Sequence, residues 1–114
     1  MKFILLSFSL FFLMIDNHLP GKYITVYDKC NYSGKQFNLK PGVYGQSQFN
    51  STMYKKVSSI KIPPGFIVKV FTGDDFNGTT AIYTKSVACL DSVFNNNIGS
   101  VIIEQVGSRP VGSH

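Results

Sequence analysis

The sequence predicts an all-β protein, and three observations support this prediction. Beyond residue 22, no apolar series with i, i+3, i+4 spacing is long enough for an amphipathic helix. Short runs of β-branched and aromatic residues occur instead, separated by Gly, Pro, Asn and Asp, as is typical between strands. The two halves of the chain also repeat one another in step, which indicates a duplicated structural unit.

Six segments have the composition of β-strands. They are Tyr23–Asp28, Gln36–Leu39, Val57–Ile62, Phe66–Phe71, Thr79–Tyr83 and Ile98–Glu104. The run Pro63-Pro64-Gly65 separates the first three from the last three, because it cannot continue a strand. In the first segment, alternation predicts that Ile24 and Val26 face a core while Thr25 faces solvent.

The repeat is defined by two constant offsets. An offset of 44 residues relates Ile24–Gly34 to Val68–Gly78. An offset of 41 residues relates Val57–Ile62 to Ile98–Ile103, so the second half has lost three residues in its middle loop. An internal repeat with such constant offsets predicts two copies of one supersecondary unit.

Each copy contains two aromatic rings five residues apart, a glycine two residues after the second ring, and a serine in a later strand. These residues are Tyr27, Tyr32, Gly34 and Ser59 in the first copy and Phe71, Phe76, Gly78 and Ser100 in the second. The rings can pack on one another across a hairpin, and the glycine supplies a turn with positive φ. The serine hydroxyl can bond the backbone that the folded hairpin frees. The sequence therefore predicts the same folded hairpin twice.

These two sets of residues resemble the paired Greek-key motifs of the βγ-crystallin superfamily, over residues 23–105. The resemblance implies two four-stranded Greek-key motifs, with strands exchanged between the sheets. Together they would form one wedge-shaped βγ-crystallin-like β-sandwich domain over residues 21–105. Microbial secreted members act in spore or cyst coats, in stress tolerance and in cell adhesion. A structural or binding role is therefore what the resemblance implies.

The resemblance also implies a possible calcium site. In microbial members, a stretch of the form Asn/Asp-Asn/Asp-x-x-Ser/Thr-Ser, just before the last strand of each motif, supplies the oxygen ligands that calcium requires. The corresponding stretches here are residues 54–59, Tyr-Lys-Lys-Val-Ser-Ser, and residues 95–100, Asn-Asn-Asn-Ile-Gly-Ser. The first stretch carries Lys55 at an Asn/Asp position, and the second carries Gly99 in place of a ligating hydroxyl. Each stretch has therefore lost a different half of its ligands.

Because the two stretches contribute to each other's sites in the family, one weak calcium site is expected to survive. Its ligands would be the Asn96 side chain, the Asn97 carbonyl, the Ser58 hydroxyl and the backbone carbonyl of Lys29. The complementary site should be lost. Without a carboxylate, the surviving site is expected to bind calcium with a Kd of about 10⁻⁴–10⁻³ M. The alternative is that both sites are degenerate and residues 95–97 form only a polar turn.

The N-terminus has the pattern of a secretory signal peptide. Met1-Lys2 is followed by thirteen uncharged residues, Phe3–Ile15. A membrane-spanning helix needs about 20 apolar residues, so an anchor or a core element is the less favoured alternative and no transmembrane segment is expected. We therefore predict a signal peptide over residues 1–20, a secreted mature chain and a flexible C-terminal tail over residues 106–114.

Secretion would place the chain in an oxidising compartment, with two consequences. Cys30 and Cys89 are expected to form a disulfide across 59 residues, the alternative being two buried free thiols. Three glycosylation sequons also become usable, at Asn31, Asn50 and Asn77.

The composition excludes several kinds of chemistry. His18 and His114 are the only histidines and lie near the ends of the chain, so no central imidazole base is available. Two cysteines are too few for a zinc cluster. Asp74-Asp75 falls in a predicted turn, and Cys89 has no internal histidine to activate it. We expect a protein that is not an enzyme.

The charge is basic, and it is concentrated in the first half of the chain. The net charge is +5, and ten of the eleven basic residues are lysines. Six of these lysines lie between residues 21 and 57: Lys22, Lys29, Lys35, Lys40, Lys55 and Lys56. An acidic cell-surface or matrix component is a possible partner, and a solvated surface is the alternative interpretation. Nucleic acid is not expected, because Arg109 is the only arginine.

Taken together, these features predict a secreted, non-enzymatic structural or binding module of an extracellular matrix, a coat or a stress response. It would hold at most one weak calcium site and exist as a monomer or weak homodimer. The alternative is a small cationic secreted effector, either an antimicrobial of the killer-toxin kind or a protease inhibitor, since the same fold occurs in both classes.

Overall fold

The computed structural model describes residues 22–49 and 51–106, which form seven β-strands and no helix. The strands are β1 (Ile24–Lys29), β2 (Ser33–Leu39), β3 (Gly42–Tyr44), β4 (Ser59–Lys61), β5 (Phe66–Phe71), β6 (Thr80–Tyr83) and β7 (Ser100–Gln105). Each of the six predicted segments overlaps a strand, so the all-β prediction is confirmed. Strand β3 lies outside the predicted segments.

The strands form two antiparallel sheets. Sheet 1 has the order β2-β1-β4, and sheet 2 has the order β3-β7-β5-β6. Strand β3 follows β2 in the chain but pairs with β7 of the second motif, with Val43 opposite Ile102. This crossing is the exchange of strands between sheets that the Greek-key resemblance implies, and the predicted β-sandwich is confirmed.

The counterpart of β3 in the second motif is reduced to a single bridge. Ile60 and Val87 exchange two backbone hydrogen bonds of 3.0 and 2.8 Å. Beside this pair, the Ile62 amide donates to the Ser86 hydroxyl at 2.7 Å instead of to a backbone carbonyl. The second motif is three residues shorter in this region. A side chain therefore supplies the partner that a longer strand would have provided.

Both motifs contain the predicted ring pair across a folded hairpin. The ring centroids of Tyr27 and Tyr32 are 5.9 Å apart with an interplanar angle of 70°. Those of Phe71 and Phe76 are 5.8 Å apart with an angle of 86°. Both pairs have the edge-to-face geometry that aromatic rings prefer, so the prediction of two equivalent hairpins is confirmed.

One buried serine closes each hairpin. The Ser59 hydroxyl accepts a hydrogen bond from the Tyr32 amide at 3.0 Å and donates one to the Lys29 carbonyl at 2.6 Å. Ser100 makes the same two bonds in the second motif, at 2.9 and 2.7 Å. Both serines are 0% exposed. Each hydroxyl therefore satisfies two backbone groups that the folding of the hairpin removes from the strand ladder.

The hairpins also turn at the two predicted glycines. Gly34 has a φ of +84° and Gly78 a φ of +82°, a region that side chains with a Cβ resist. A Cβ on Gly34 would collide with the Asp28 carboxylate, which accepts a hydrogen bond from the Lys35 amide at 2.8 Å. The turn therefore requires glycine for both its backbone conformation and its space.

The hydrophobic core lies between the two sheets. Val26 and Ile60 contribute from sheet 1, and Val68, Val70 and Val101 contribute from sheet 2, each at most 2% exposed. Along β5, buried residues alternate with more exposed ones, as a two-layer sandwich requires. In β1 this alternation fails at Thr25, which was predicted to face solvent but is only 8% exposed and donates a hydrogen bond to Asn38 Oδ1.

A disulfide joins Cys30 to Cys89, with the Cα atoms 4.7 Å apart. The prediction of a bridge instead of two free thiols is confirmed. Next to it, the Asn31 amide donates to the Ala88 carbonyl at 2.6 Å. The bridge therefore ties the first hairpin to the segment that precedes the last strand.

Three predictions fall on residues that the structure does not describe. They are the signal peptide over residues 1–20, the sequon at Asn50, and the C-terminal tail beyond Val106. Within residues 22–49 and 51–106, no helix has the length and apolar character needed to cross a membrane.

Candidate metal site

The stretches 54–59 and 95–100 form a pair of matched loops at the seam between the two motifs. Lys55 and Asn96 occupy equivalent positions, and each has a φ of 56°. The Asn96 amide donates to the Val57 carbonyl at 3.0 Å, and the Lys55 amide donates to the Ile98 carbonyl at 3.1 Å. Each loop therefore binds the other through the backbone. This creates two candidate metal-binding positions, called corner 1 (around Ser58 and Asn96) and corner 2 (around Gly99 and Asp74).

Corner 1 brings together the predicted ligands Ser58 and Asn96. Ser58 is only 5% exposed, and its Oγ donates to Asn96 Oδ1 at 3.3 Å. The Ser58 amide donates to the Tyr27 carbonyl at 2.8 Å, which fixes the serine against the first hairpin. The Lys29 carbonyl is held by the adjacent Ser59 hydroxyl at 2.6 Å. The structure thus brings two of the four predicted ligand residues, Ser58 and Asn96, into contact, and it ties the Lys29 carbonyl to the residue that follows Ser58.

The other asparagines of the loop differ in their contacts. Asn97 uses its side chain elsewhere, because its Nδ2 donates to the Val93 carbonyl at 3.0 Å and its Oδ1 accepts from Lys55 Nζ at 3.4 Å. This leaves its backbone carbonyl as the predicted ligand. Asn95 Oδ1 is buried and has no hydrogen-bond partner among the described residues. The predicted ligand set omits Asn95, although it occupies the first Asn/Asp position of the family's stretch.

Corner 2 is filled by the protein itself. A Cβ on Gly99 would lie 2.7 Å from the Gly73 carbonyl and 2.8 Å from Asp74 Oδ1, so a ligating hydroxyl has no room. The Tyr54 hydroxyl donates a hydrogen bond to the same Asp74 carboxylate. That bond, followed by burial and the carboxylate charge, raises the pKa of Tyr54 above its ordinary value. This hydrogen bond was not predicted, because Tyr54 is recognisable in the sequence only as a lost ligand.

The donor chemistry of corner 1 fits a calcium ion, whereas that of corner 2 does not. Calcium takes six to eight oxygen ligands, including carbonyls, amide oxygens and waters. Corner 1 offers a hydroxyl, an amide oxygen and backbone carbonyls from both motifs, so a bound ion would link the two motifs. Corner 2 has lost a hydroxyl to Gly99, and the Asn/Asp position that would serve it is Lys55, whose ammonium donates to Asn97 Oδ1 instead. Within the described residues, no three His, Cys, Asp or Glu side chains form a metal-binding group.

The two described sequons and the lysines lie at the surface. Asn31 and Asn77 are exposed. The exposed lysines of the first half are Lys22, Lys29, Lys35, Lys40 and Lys56, whereas Lys55 is half-buried. Lys61, on β4, places its Nζ 4.2 Å from the centre of the Tyr32 ring, a cation–π contact. Most of the predicted basic residues are therefore exposed to solvent.

The fold defines a class of protein, a β-sandwich of two Greek-key motifs. In this class, the loop before the last strand of each motif hydrogen-bonds to the matching loop of the other motif. Development-specific protein S and its homolog, both from Myxococcus xanthus, are each 30% identical to this chain over 89 residues, or 76% of it. The matches cover 50% of the homolog and 51% of protein S, so the chain spans about half the length of these curated relatives. No family model matches the chain.

Solved structures place the chain in a particular family. The N-terminal domain of protein S matches with a TM-score of 0.69 and 30% identity, over 74% of this chain and 97% of that domain. A βγ-crystallin domain from Clostridium beijerinckii matches with a TM-score of 0.68 and 34% identity, over 72% of this chain and 97% of that domain. The chain belongs to the βγ-crystallin family.

Proposed function

We propose that this protein is a secreted, non-enzymatic structural and binding module with one weak calcium site. The observation that carries the proposal is the approach of Ser58 Oγ to Asn96 Oδ1, at 3.3 Å. These atoms belong to different motifs, 38 residues apart in the chain, so an ion bound there would join the two motifs. A role in a matrix, a coat or a stress response is supported by the relatives' description as development-specific proteins.

The ligands at corner 1 account for weak binding. They are the Ser58 hydroxyl, the Asn96 side chain and the carbonyls of Lys29 and Asn97, none of which is charged. The Lys55 ammonium lies 3.4 Å from Asn97 Oδ1, so it opposes a cation at this corner. Extracellular calcium modules with low ligand charge have Kd values of about 10⁻⁴–10⁻³ M, and we place this site in that range.

Isothermal titration with calcium tests the site. The wild-type protein should fit one site in the stated range, and Ser58→Ala should abolish the heat. Ser92→Ala is a matched control, because Ser92 is exposed and precedes the loop. Lys55→Ala should tighten binding by roughly 2–5-fold, the effect expected from removing one partly screened charge.

Two outcomes would contradict this part of the proposal. Heat that fits more than one site would show that corner 2 also binds, in spite of Gly99 and Lys55. No heat at millimolar calcium would show that both corners are degenerate and that residues 95–97 serve only as a turn.

Secretion and surface binding require separate tests. Expression of the full chain should place the protein in the medium, with a mature N-terminus near residue 20 and added glycan mass at the accessible sequons. The exposed lysines support binding to an acidic surface or matrix polymer. Lys35→Glu combined with Lys56→Glu should weaken co-sedimentation with an acidic polysaccharide more than the control Lys85→Glu. Retention of the chain in the cell would refute the secreted role.

The same lysines favour a second candidate, a cationic secreted effector. Such a protein would inhibit the growth of target cells or a protease, lose potency with added salt and be indifferent to calcium. Thermal stabilisation by calcium together with no effect on foreign cells would favour the structural module instead.

A further inference from the structure

The Cys30–Cys89 disulfide connects two elements that carry or contact predicted calcium ligands of corner 1. Cys30 directly follows Lys29, whose carbonyl is the predicted ligand from the first hairpin. Cys89 directly precedes Leu90, whose amide donates to the Ser58 carbonyl at 2.8 Å. Leu90 is 5% exposed, so this end of the bridge is anchored in the core next to Ser58.

The segment that contains Cys89 also leads into the loop that carries Asn96. Asp91 follows Leu90, and its carbonyl accepts hydrogen bonds from the amides of Phe94 and Asn95 at 3.1 and 2.8 Å. These bonds form a tight turn directly before Asn96. The bridge therefore ties the hairpin of the first motif to the loop of the second motif, and corner 1 requires these two elements to meet.

The second motif has no such bridge, although its hairpin has the same fold. Cys30 corresponds to Asp74 under the offset of 44 residues, and Cys30 and Cys89 are the only cysteines of the chain. The second hairpin meets the loop after β3 through a backbone hydrogen bond, from the Gln46 amide to the Asp74 carbonyl at 3.1 Å. A hairpin of this kind therefore closes without a disulfide. The covalent tie is present at the corner whose ligands survive and not at the other.

The bridged hairpin also holds one more residue in the left-handed region than its counterpart. Asn31 and Tyr32 have φ values of 61° and 56°, whereas in the second hairpin Phe76, at 57°, is left-handed and Asp75 is not. This conformation is uncommon for residues other than glycine. The Asn31 amide donates to the Ala88 carbonyl at 2.6 Å, beside the bridge. Without the bridge, Asn31 can relax and the backbone before it can shift.

We propose that the Cys30–Cys89 disulfide is a positioning bond for calcium, which assembles corner 1 before the ion binds. The proposal rests on the calcium site proposed above and adds its regulation by the redox state of the two cysteines. Two-electron oxidation of the thiols forms the S–S bond, and a disulfide exchange partner takes up the two electrons and two protons as a pair of thiols. A chain whose thiols are still reduced binds calcium weakly, and affinity rises when the bridge forms.

The bridge is accessible to small thiols in the folded protein. Cys89 is exposed and Cys30 is half-buried. The contacts beside the bridge are not covalent, and Ile60 keeps its two backbone hydrogen bonds to Val87, of 3.0 and 2.8 Å, when the bridge opens. Reduction should therefore loosen the hairpin without releasing the whole segment from the sheet.

Calcium titration of the oxidised full-chain product, and of the same protein reduced with dithiothreitol, tests the proposal. The reduced protein should bind calcium roughly 10-fold or more weakly, which is the usual effect of losing a group that positions a metal ligand. Cys30→Ser combined with Cys89→Ser should bind like the reduced protein and should not respond to dithiothreitol. Ser100→Ala is the matched control, because it weakens the second hairpin away from corner 1. Its calcium Kd should equal that of the wild type.

Amide hydrogen exchange without calcium provides a readout that does not depend on the ion. Reduction should accelerate exchange of the Tyr32 amide, which Ser59 holds in the first hairpin, while the Phe76 amide in the second hairpin should keep its rate. Equal calcium Kd values for the oxidised and reduced proteins, or equal acceleration at both amides, would overturn this inference alone. Oxidised protein that binds no calcium would instead refute the calcium site itself, and this inference with it.

Both measurements require the reduced protein to be folded. Sucrose favours the folded state because it is excluded from the protein surface, and near-UV circular dichroism reports whether the packing of the aromatic rings is intact. Reduced protein that stays unfolded in sucrose would show that the bridge maintains the whole domain. That result would also overturn the positioning role.

Discussion

Replacing Ser59 with alanine would remove the oxygen that closes the first hairpin. The Tyr32 amide would lose its acceptor at 3.0 Å, and the Lys29 carbonyl would lose its donor at 2.6 Å. Ser59 is 0% exposed, so water cannot replace the hydroxyl without rearrangement. The folded hairpin would keep its rings but would carry two unsatisfied backbone groups.

The cost of this change follows from those two groups. A buried polar group left without a partner costs about 1–3 kcal/mol, so the pair, one of them only partly buried, should cost about 2–4 kcal/mol. For a domain of this size, that loss lowers the Tm by roughly 10–25 °C. Calorimetry and urea unfolding of the same sample measure both quantities.

Two other serines provide the controls. Ser100→Ala removes the equivalent pair of bonds in the second motif and should cost a similar amount. Ser58→Ala removes only one hydrogen bond of 3.3 Å and should cost less than half as much in calcium-free buffer. A loss below about 0.5 kcal/mol for Ser59→Ala would refute the assignment of the hairpin's closure to this hydroxyl.

Three further predictions concern the disulfide, a glycine and a phenol. Replacing Cys30 and Cys89 with serine opens a bridge across 59 residues and should cost about 4 kcal/mol in urea unfolding; a loss below about 1 kcal/mol would contradict the chain-entropy argument. Gly34→Ala should cost more than about 1 kcal/mol, because its φ of +84° and the Asp28 carboxylate both oppose a Cβ; a neutral result would show that the turn can rearrange. Asp74→Asn should lower the raised pKa of Tyr54, measured by phenolate absorbance, toward 10.0. Because the pKa of Tyr54 is raised in the folded protein, the stabilisation that its hydrogen bond to Asp74 provides is complete below the pKa of the phenol in the unfolded chain. It is lost as the pH rises through the pKa of Tyr54 in the folded protein.

Most of the fold could be predicted because the same residues recur at constant offsets. The ring pairs, glycines and closing serines each occur twice, and local chemistry explains each of them. Strand β3 could not be predicted in the same way, because Gly42–Tyr44 is too short to show alternation. Its pairing with β7 depends on the packing of the second motif. The reduced bridge at Val87 likewise depends on the Ser86 hydroxyl, whose partner lies 24 residues away in the sequence.

The residues of the candidate site that occupy motif positions could be predicted from the sequence. The contacts between residues of different loops could not. Ser58 and Asn96 were predicted from the two stretches that resemble the family's calcium-binding stretch. Ser58 Oγ lies 3.3 Å from Asn96 Oδ1. Tyr54 and Asp74 are 20 residues apart, and nothing in either local sequence pairs them.

The seam between the motifs is closed by the backbone, and this limits what calcium can add. Lys55 keeps the left-handed φ of its counterpart Asn96, and both amides donate across the seam. Calcium would therefore bind a preformed corner, and its contribution follows from linkage alone. At ten times its Kd, one ion adds about 1.4 kcal/mol, which raises the Tm by roughly 5–10 °C. Ser58→Ala should abolish that increase, whereas Ser59→Ala should retain it from a lower starting Tm. A calcium-free protein that fails to unfold cooperatively would instead show that the ion is needed to close the seam.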